Sequence, residues 1–241
     1  MAPGFDLLSE PIRTSLNELG LETPTDIQTE AFEPILEGRH VLLIAPTGTG
    51  KTEAAVLPIL DMLIQLKQRK GISLLYITPL RALNRDMLRR LRFWADRLSI
   101  GLDVRHGDTP PSQRRRQSSH PPDILVTTPE TLQAMLPSRA MRRHLESVRW
   151  VVVDEVHSLA ESKRGAQLTV ALERLREVTG YEFQRIGLSA TIGSPEIVAG
   201  FLCGAGRETV TIQVETPKEY DYRVVWPSPG EEARRASEQL Y

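Results

Sequence analysis

The sequence predicts a doubly wound α/β domain, a mostly parallel sheet with helices on both faces. Three observations lead there. Short apolar runs alternate with stretches of helical period from Val41 to Val214. Several runs, such as Trp150-Val151-Val152-Val153, are apolar without interruption, the pattern of strands covered on both faces by crossover helices. A glycine-rich stretch, Ala45-Pro46-Thr47-Gly48-Thr49-Gly50-Lys51-Thr52, directly follows Val41-Leu42-Leu43-Ile44 and precedes a helix-like segment, so the order reads strand, tight loop, helix.

Taken in order, Leu7, Leu8, Ile12, Leu16 and Leu19 predict an amphipathic helix over Phe5–Leu19 that stops at Gly20. A second helix begins in Thr23-Pro24-Thr25-Asp26-Ile27-Gln28 and reaches about Leu36. After the strand at Val41 and the glycine-rich loop, a helix is expected from Glu53 to about Lys67, a strand over Leu74–Ile77 and a helix from about Ala82 to Leu98. Further strands are expected at Leu102–Arg105, Ile124–Thr127, Trp150–Asp154 and Arg185–Ser189. Helices around Ser112–Ser118, Pro129–Leu136 and Gly165–Thr179 separate them. Ser194-Pro195 reads as an N-cap followed by proline at the first helical position, giving a helix to about Leu202, and Val210–Val214 closes the series as a strand.

In 241 residues, 40% of them hydrophobic, there is enough apolar surface for a well-buried core. No apolar run reaches 18 residues, and Met1–Asp6 lacks the basic and apolar regions of a signal peptide, so no membrane contact and a cytoplasmic location are expected. Cys203 is the single cysteine, which excludes an internal disulfide and a multi-cysteine zinc site. The net charge of −1 hides an uneven distribution: Thr78–Trp150 holds 14 Arg and 7 acidic residues, or +7, and the remainder carries −8.

Phosphate oxygens need several donors converging on one point, and Gly48 and Gly50 let backbone N–H groups turn inward without a Cβ in the way. With Thr47 and Thr49 completing the loop, Lys51 is placed to set a point charge on β- and γ-phosphates and Thr52 to offer a hydroxyl to Mg²⁺. Ala45 stands where such loops usually begin with glycine. About a hundred residues on, Val151-Val152-Val153-Asp154-Glu155 ends an apolar strand in two acids: Asp154 to hold Mg²⁺ through water, Glu155 to orient the attacking water and accept its proton.

Together with the loop, Asp154-Glu155-Val156-His157, Thr78-Pro79-Leu80-Arg81-Ala82-Leu83, Thr128-Pro129-Glu130 and Ser189-Ala190-Thr191 resemble, in order and spacing, superfamily two helicases of the DExH type. More narrowly, His157–Gly165 followed by Leu168 and Leu172-Glu173-Arg174-Leu175 resembles the Lhr (large helicase-related) family, with coverage from about Phe5 to Trp226. The resemblance implies a RecA-like P-loop NTPase domain, ATP and Mg²⁺ as cofactors, and ATP-driven translocation on single-stranded or partly duplex nucleic acid, often DNA in the 3′ to 5′ direction. It also implies that Thr78, Pro79, Arg81, Thr128, Pro129 and Glu130 face the sugar-phosphate track, and that His157, Ser189 and Thr191 couple nucleotide to nucleic acid. Gln28 resembles the adenine-reading glutamine of such helicases, while Thr25-x-x-Gln28 also fits a capping box. An RNA helicase and a nucleotide-switched binding module without translocation are the alternatives.

The expected organisation is N-terminal helices carrying the adenine-reading motif over 1–39, the ATP-binding domain over 40–216 and a Pro- and charge-rich exit linker over 217–241. A second RecA-like domain, which in such helicases supplies arginine fingers, is expected to lie beyond these residues, so that this chain alone hydrolyses ATP poorly. Arg85, Arg89, Arg90, Arg92 and Arg97 fall on a predicted helix whose exposed faces carry charge, and Arg114-Arg115-Arg116 is read as a solvated basic segment.

Overall fold

The computed structural model describes residues 4–79, 85–190, 193–204 and 206–215. Its centre is a seven-stranded sheet in the order β3-β4-β2-β5-β6-β1-β7, with every pairing parallel. The strands are β1 (His40–Ile44), β2 (Leu74–Ile77), β3 (Leu102–Arg105), β4 (Ile124–Thr127), β5 (Trp150–Val153), β6 (Gln184–Ser189) and β7 (Thr209–Gln213). Register pairs Leu43 with Leu188 and Tyr76 with Val152.

Because side chains alternate across a strand, the uninterrupted apolar runs divide between two cores. Val41, Leu43, Leu74, Tyr76, Val126 and Val152 face one side, where α1 (Glu10–Glu18), α2 (Asp26–Leu36), α3 (Lys51–Ile64) and α4 (Arg85–Arg97) cover them. Leu42, Ile44, Leu75, Ile77, Val151 and Val153 face the other, with residues of α6 (Pro129–Met135), α7 (Arg139–Leu145), α8 (Val156–Ala160), α9 (Lys163–Thr179) and α10 (Pro195–Cys203). α5 (Pro111–Ser119) lies against the β3 edge, where Gln117 donates to the Val104 carbonyl at 3.0 Å. Ile12, Leu16, Ile27 and Phe32 belong to the first core, so the N-terminal helices pack as part of the sheet domain.

The departures from the expected elements have local causes. The single helix expected over Phe5–Leu19 is a 3-10 turn (Phe5–Leu7) followed by α1, because Ser9 is pinned between them: its N–H donates to the buried Asp61 carboxylate at 2.9 Å and its hydroxyl bonds the same oxygen. α3 begins at Lys51 rather than Glu53, since the last loop residues already form its first turn with Gly50 as N-cap. α7 escaped the sequence reading because Met141 and Leu145 are its only buried residues among charged neighbours. The residues expected to form the exit linker, 217–241, lie outside the described residues.

At the N-terminal end of β6, Arg185 is 1% exposed. Its guanidinium bonds Glu173 at 3.0 Å, Glu182 at 3.2 Å and the Leu202 carbonyl at 3.2 Å, and lies over the Phe183 ring. A buried cation survives only when so enclosed. The cluster ties α9 and α10 to the end of the sheet away from the loops considered next.

Candidate active site

The carboxyl ends of β1 and β5 open on a cleft of about 510 Å³, lined by Thr25, Thr47–Thr52, Asp86, Met87, Arg90, Asp154, Glu155 and Leu188. A parallel sheet delivers loops to this edge, where ligands of open α/β folds bind. The glycine-rich loop and the acidic pair, a hundred residues apart in the chain, thus share one cavity.

Gly48 and Gly50 both take left-handed backbone, with φ of 84° and 86°. Side-chain bonds brace the loop: Thr49 Oγ1 donates to the Pro46 carbonyl at 2.8 Å and Thr25 Oγ1 to the Thr49 carbonyl at 2.9 Å. Lys51 Nζ donates to the carbonyls of Ala45 at 2.5 Å and Pro46 at 2.8 Å, so its ammonium is folded against the loop it belongs to.

Gln28 is 8% exposed, and its amide is used at both atoms. Oε1 accepts the Thr25 N–H at 3.0 Å, and Nε2 donates to the Gly50 carbonyl at 3.4 Å. The capping box therefore forms, and it also staples α2 to the loop. An amide has two donors and two lone pairs, so one of each stays uncommitted in this pair of bonds, the number adenine recognition requires.

Asp154 continues the β5 ladder by its N–H, which donates to Ile77 at 2.8 Å. Its Oδ1 accepts the Glu155 N–H at 2.9 Å and its Oδ2 accepts the Tyr76 phenol at 2.8 Å. Burial, with the neighbouring Glu155 charge, pushes the Asp154 carboxyl above its ordinary range. Burial and the Asp154 charge hold the Tyr76 phenol well above its usual value. Glu155 sits at φ 51°, one of two non-glycine residues with positive φ among those described, and begins α8. That conformation costs about 1–2 kcal/mol in an L-residue, and it turns the chain away from the ladder at the second acid.

Glu155 Oε2 lies 3.4 Å from His157 Nε2, and His157 Nδ1 lies 3.1 Å from the Ser189 hydroxyl. Of the described residues expected to couple nucleotide to nucleic acid, His157 meets the second acid directly and Ser189 reaches it through His157. Thr191 and Arg81, also singled out from the sequence, lie outside the described residues.

Of the positions expected along the nucleic-acid track, Thr78 is fully buried and Thr128 is 3% exposed. Thr128 caps α6 by accepting the Thr131 N–H, and Pro129 is buried in its first turn. Pro79 is half-buried, and Glu130 pairs with Arg164, which holds its carboxyl below the ordinary range. In this arrangement the Thr128 side chain fixes the turn into α6, while the buried Thr78 hydroxyl has no hydrogen-bond partner among the described residues.

Three lining residues were missed from the sequence. Arg90 was read as part of a solvated helix face; it instead forms a two-bond ion pair with Glu53, Nε to Oε1 at 2.7 Å, on the cleft wall. Asp86 and Met87 come with it. Tyr76 did carry a signal: a phenol in an otherwise aliphatic strand must find a partner when buried. In the basic Arg114–Arg116 segment, Arg114 donates to the Thr109 carbonyl at 2.8 Å and Arg116 to Asp103 at 2.8 Å, so two of the three are engaged within the chain.

Residues 25–198 match the DEAD/DEAH box helicase family. Among curated proteins, the chain is 46% identical over 220 residues to the Lhr helicase/probable uracil glycosylase of Mycolicibacterium smegmatis, an alignment covering 86% of this chain and 14% of that protein. It is 38% identical over 259 residues to the ATP-dependent helicase Lhr-Core of Methanocaldococcus jannaschii, covering 98% of this chain and 30% of the relative. The chain therefore spans less than a third of the length of these relatives. Among solved structures, Mycobacterium smegmatis helicase Lhr bound to ssDNA and AMP-PNP superposes with a TM-score of 0.82 at 43% identity, over 90% of this chain and 29% of that one. The DEAD-box helicase Mss116 bound to ssRNA and UDP-BeF, at 20% identity and a TM-score of 0.74, shares the fold. With its loop and acidic pair in one cleft and the match extending over most of its length, the chain belongs to the DEAD/DEAH box helicase family and is similar, within it, to the Lhr helicases.

Proposed function

We propose that this chain is the first motor domain of an ATP-dependent helicase that moves on single-stranded DNA in the 3′ to 5′ direction. The observation that carries the reading is the chain of contacts Glu155–His157–Ser189, which starts from the cleft lining at Glu155. A catalytic acid wired to the end of the neighbouring strand gives hydrolysis a route to the surface on which nucleic acid is expected to lie. DNA is preferred over RNA because the similar Lhr structure is bound to ssDNA.

In this reading the backbone N–H groups of Thr47–Thr52 receive the phosphates, and Lys51 leaves the Ala45 and Pro46 carbonyls to reach them. Gln28 reads adenine with its uncommitted donor and lone pair. Glu155 orients the attacking water and takes its proton. The donor set also fits Mg²⁺: Thr52 and Asp154 offer hard oxygens, and no group of three or more His, Cys, Asp or Glu able to hold a metal occurs among the described residues. Mg²⁺ is usually bound by one or two protein oxygens together with phosphates and waters. Bound there, it would offset phosphate charge as the terminal phosphoryl group leaves.

No helix among the described residues is long and apolar enough to cross a membrane, and the partners proposed are single-stranded or partly duplex nucleic acid and a second RecA-like domain. An arginine finger from that domain adds roughly 10³–10⁵ in rate. The test is ATP turnover by this chain and by a protein extended through the following domain, each with and without single-stranded DNA. We expect slow, DNA-insensitive turnover by the chain and fast, DNA-stimulated turnover by the longer protein, abolished by Glu155→Gln. Robust DNA-stimulated turnover by the chain alone would overturn the two-domain reading.

A further inference from the structure

We propose that Tyr76 is a positioning residue that aims the Asp154 carboxylate at the proposed Mg²⁺ site. The inference rests on the nucleotide reading above and adds a residue to it.

Tyr76 is fully buried on β2, the strand beside β5, and its ring sits in the core under α3. Its phenol oxygen lies 2.8 Å from Asp154 Oδ2, on the carboxylate expected at the metal.

An ionised carboxylate only accepts, so the phenol must donate to Asp154. The Glu155 N–H holds Oδ1 of the same carboxylate at 2.9 Å, so Asp154 is fixed at both oxygens and keeps its remaining lone pairs for water or metal. Outer partners of this kind orient the ligands of metal sites, and removing one typically lowers metal affinity about 10- to 100-fold.

The test uses the 241-residue chain and the fluorescent nucleotide mant-ATP, titrated in EDTA and then with rising Mg²⁺. Tyr76→Phe keeps the ring that fills its place in the core and removes only the phenol oxygen that meets Asp154. We expect mant-ATP affinity in EDTA within about twofold of the unmodified chain and half-saturating Mg²⁺ raised about 10- to 100-fold. Tyr76→Met, which fills the site with a different shape, should give the same split should the Phe variant not fold. Combined with Asp154→Asn, Tyr76→Phe should add no further shift, because it acts through that carboxylate. An unchanged Mg²⁺ requirement in Tyr76→Phe, or a full additional shift in the double variant, refutes the role of Tyr76 and leaves the ATP site standing. Absence of Mg²⁺-dependent mant-ATP binding by the unmodified chain refutes both.

Discussion

Replacing Gly50 by alanine should damage the domain more than the same change at Gly48, and the difference measures how firmly α2 is tied to the phosphate loop. The two glycines share nearly the same backbone, φ 84° and 86°. Forcing an L-residue into that region costs about 1–2 kcal/mol, and alanine returns about 0.4–1 kcal/mol by restricting the unfolded chain. At Gly48 a new Cβ meets nothing within 4 Å, so the net loss should be about 1 kcal/mol. At Gly50 it would lie 2.7 Å from Gln28 Nε2 and 3.4 Å from Thr25 Oγ1. The amide must then move, and it takes with it the bonds to the Gly50 carbonyl and the Thr25 N–H. At about 1 kcal/mol for each bond, Gly50→Ala should lose roughly 2 kcal/mol more than Gly48→Ala. Urea denaturation of the two variants and the unmodified chain at pH 7 reads the difference directly. Equal losses would refute the coupling between Gln28 and the loop.

Lys51→Ala should abolish mant-ATP binding by this chain while leaving its salt-sensitive binding of single-stranded DNA largely intact; loss of both in fluorescence anisotropy would contradict the division of roles. Asp103 gives a pH test away from the cleft. Burial raises its carboxyl, but Arg116, Gln117, the Val104 N–H and Gln113 together bring it below the ordinary range. A group depressed in the folded state stabilises above its unfolded pKa of about 3.9 and loses that contribution as pH falls through the folded value. Asp103→Asn should therefore cost about 1–2 kcal/mol at pH 7, with the deficit shrinking below about pH 4. Urea midpoints that differ by the same amount at pH 7 and pH 3 would exclude the linkage.

The fold was legible because its information is periodic. Uninterrupted apolar runs marked inner strands such as β2 and β5, since a strand covered on both faces has no polar alternation to blur it, while the edge strands β3 and β7 show apolar residues alternating with polar ones. The glycine-rich loop and the acids at 154 and 155 were legible because phosphate chemistry demands residue types at fixed spacing. What stayed hidden depends on tertiary distance. Nothing in the sequence links Glu53 to Arg90, or Ser9 to Asp61, because such pairs exist only once helices have packed. The capping box at Gln28 was legible, and the structure adds that its bonds leave part of the amide uncommitted. The short α8 escaped for another reason: its first residue, Val156, follows a glutamate in left-handed backbone, a conformation no propensity anticipates for that residue.

The strand order has a consequence for the dimensions of the cleft. β6 lies between β1 and β5, so the phosphate loop and the acidic pair leave the sheet two ladder spacings apart, about 9.6 Å. That width is a ruler made of backbone hydrogen bonds, which no surface substitution can lengthen. Changes in the flanking helices can tune the walls of the cleft, but the span between the glycine-rich loop and the acidic pair is set by the sheet. Ser189 ends the middle strand of the ruler and stands at its midpoint.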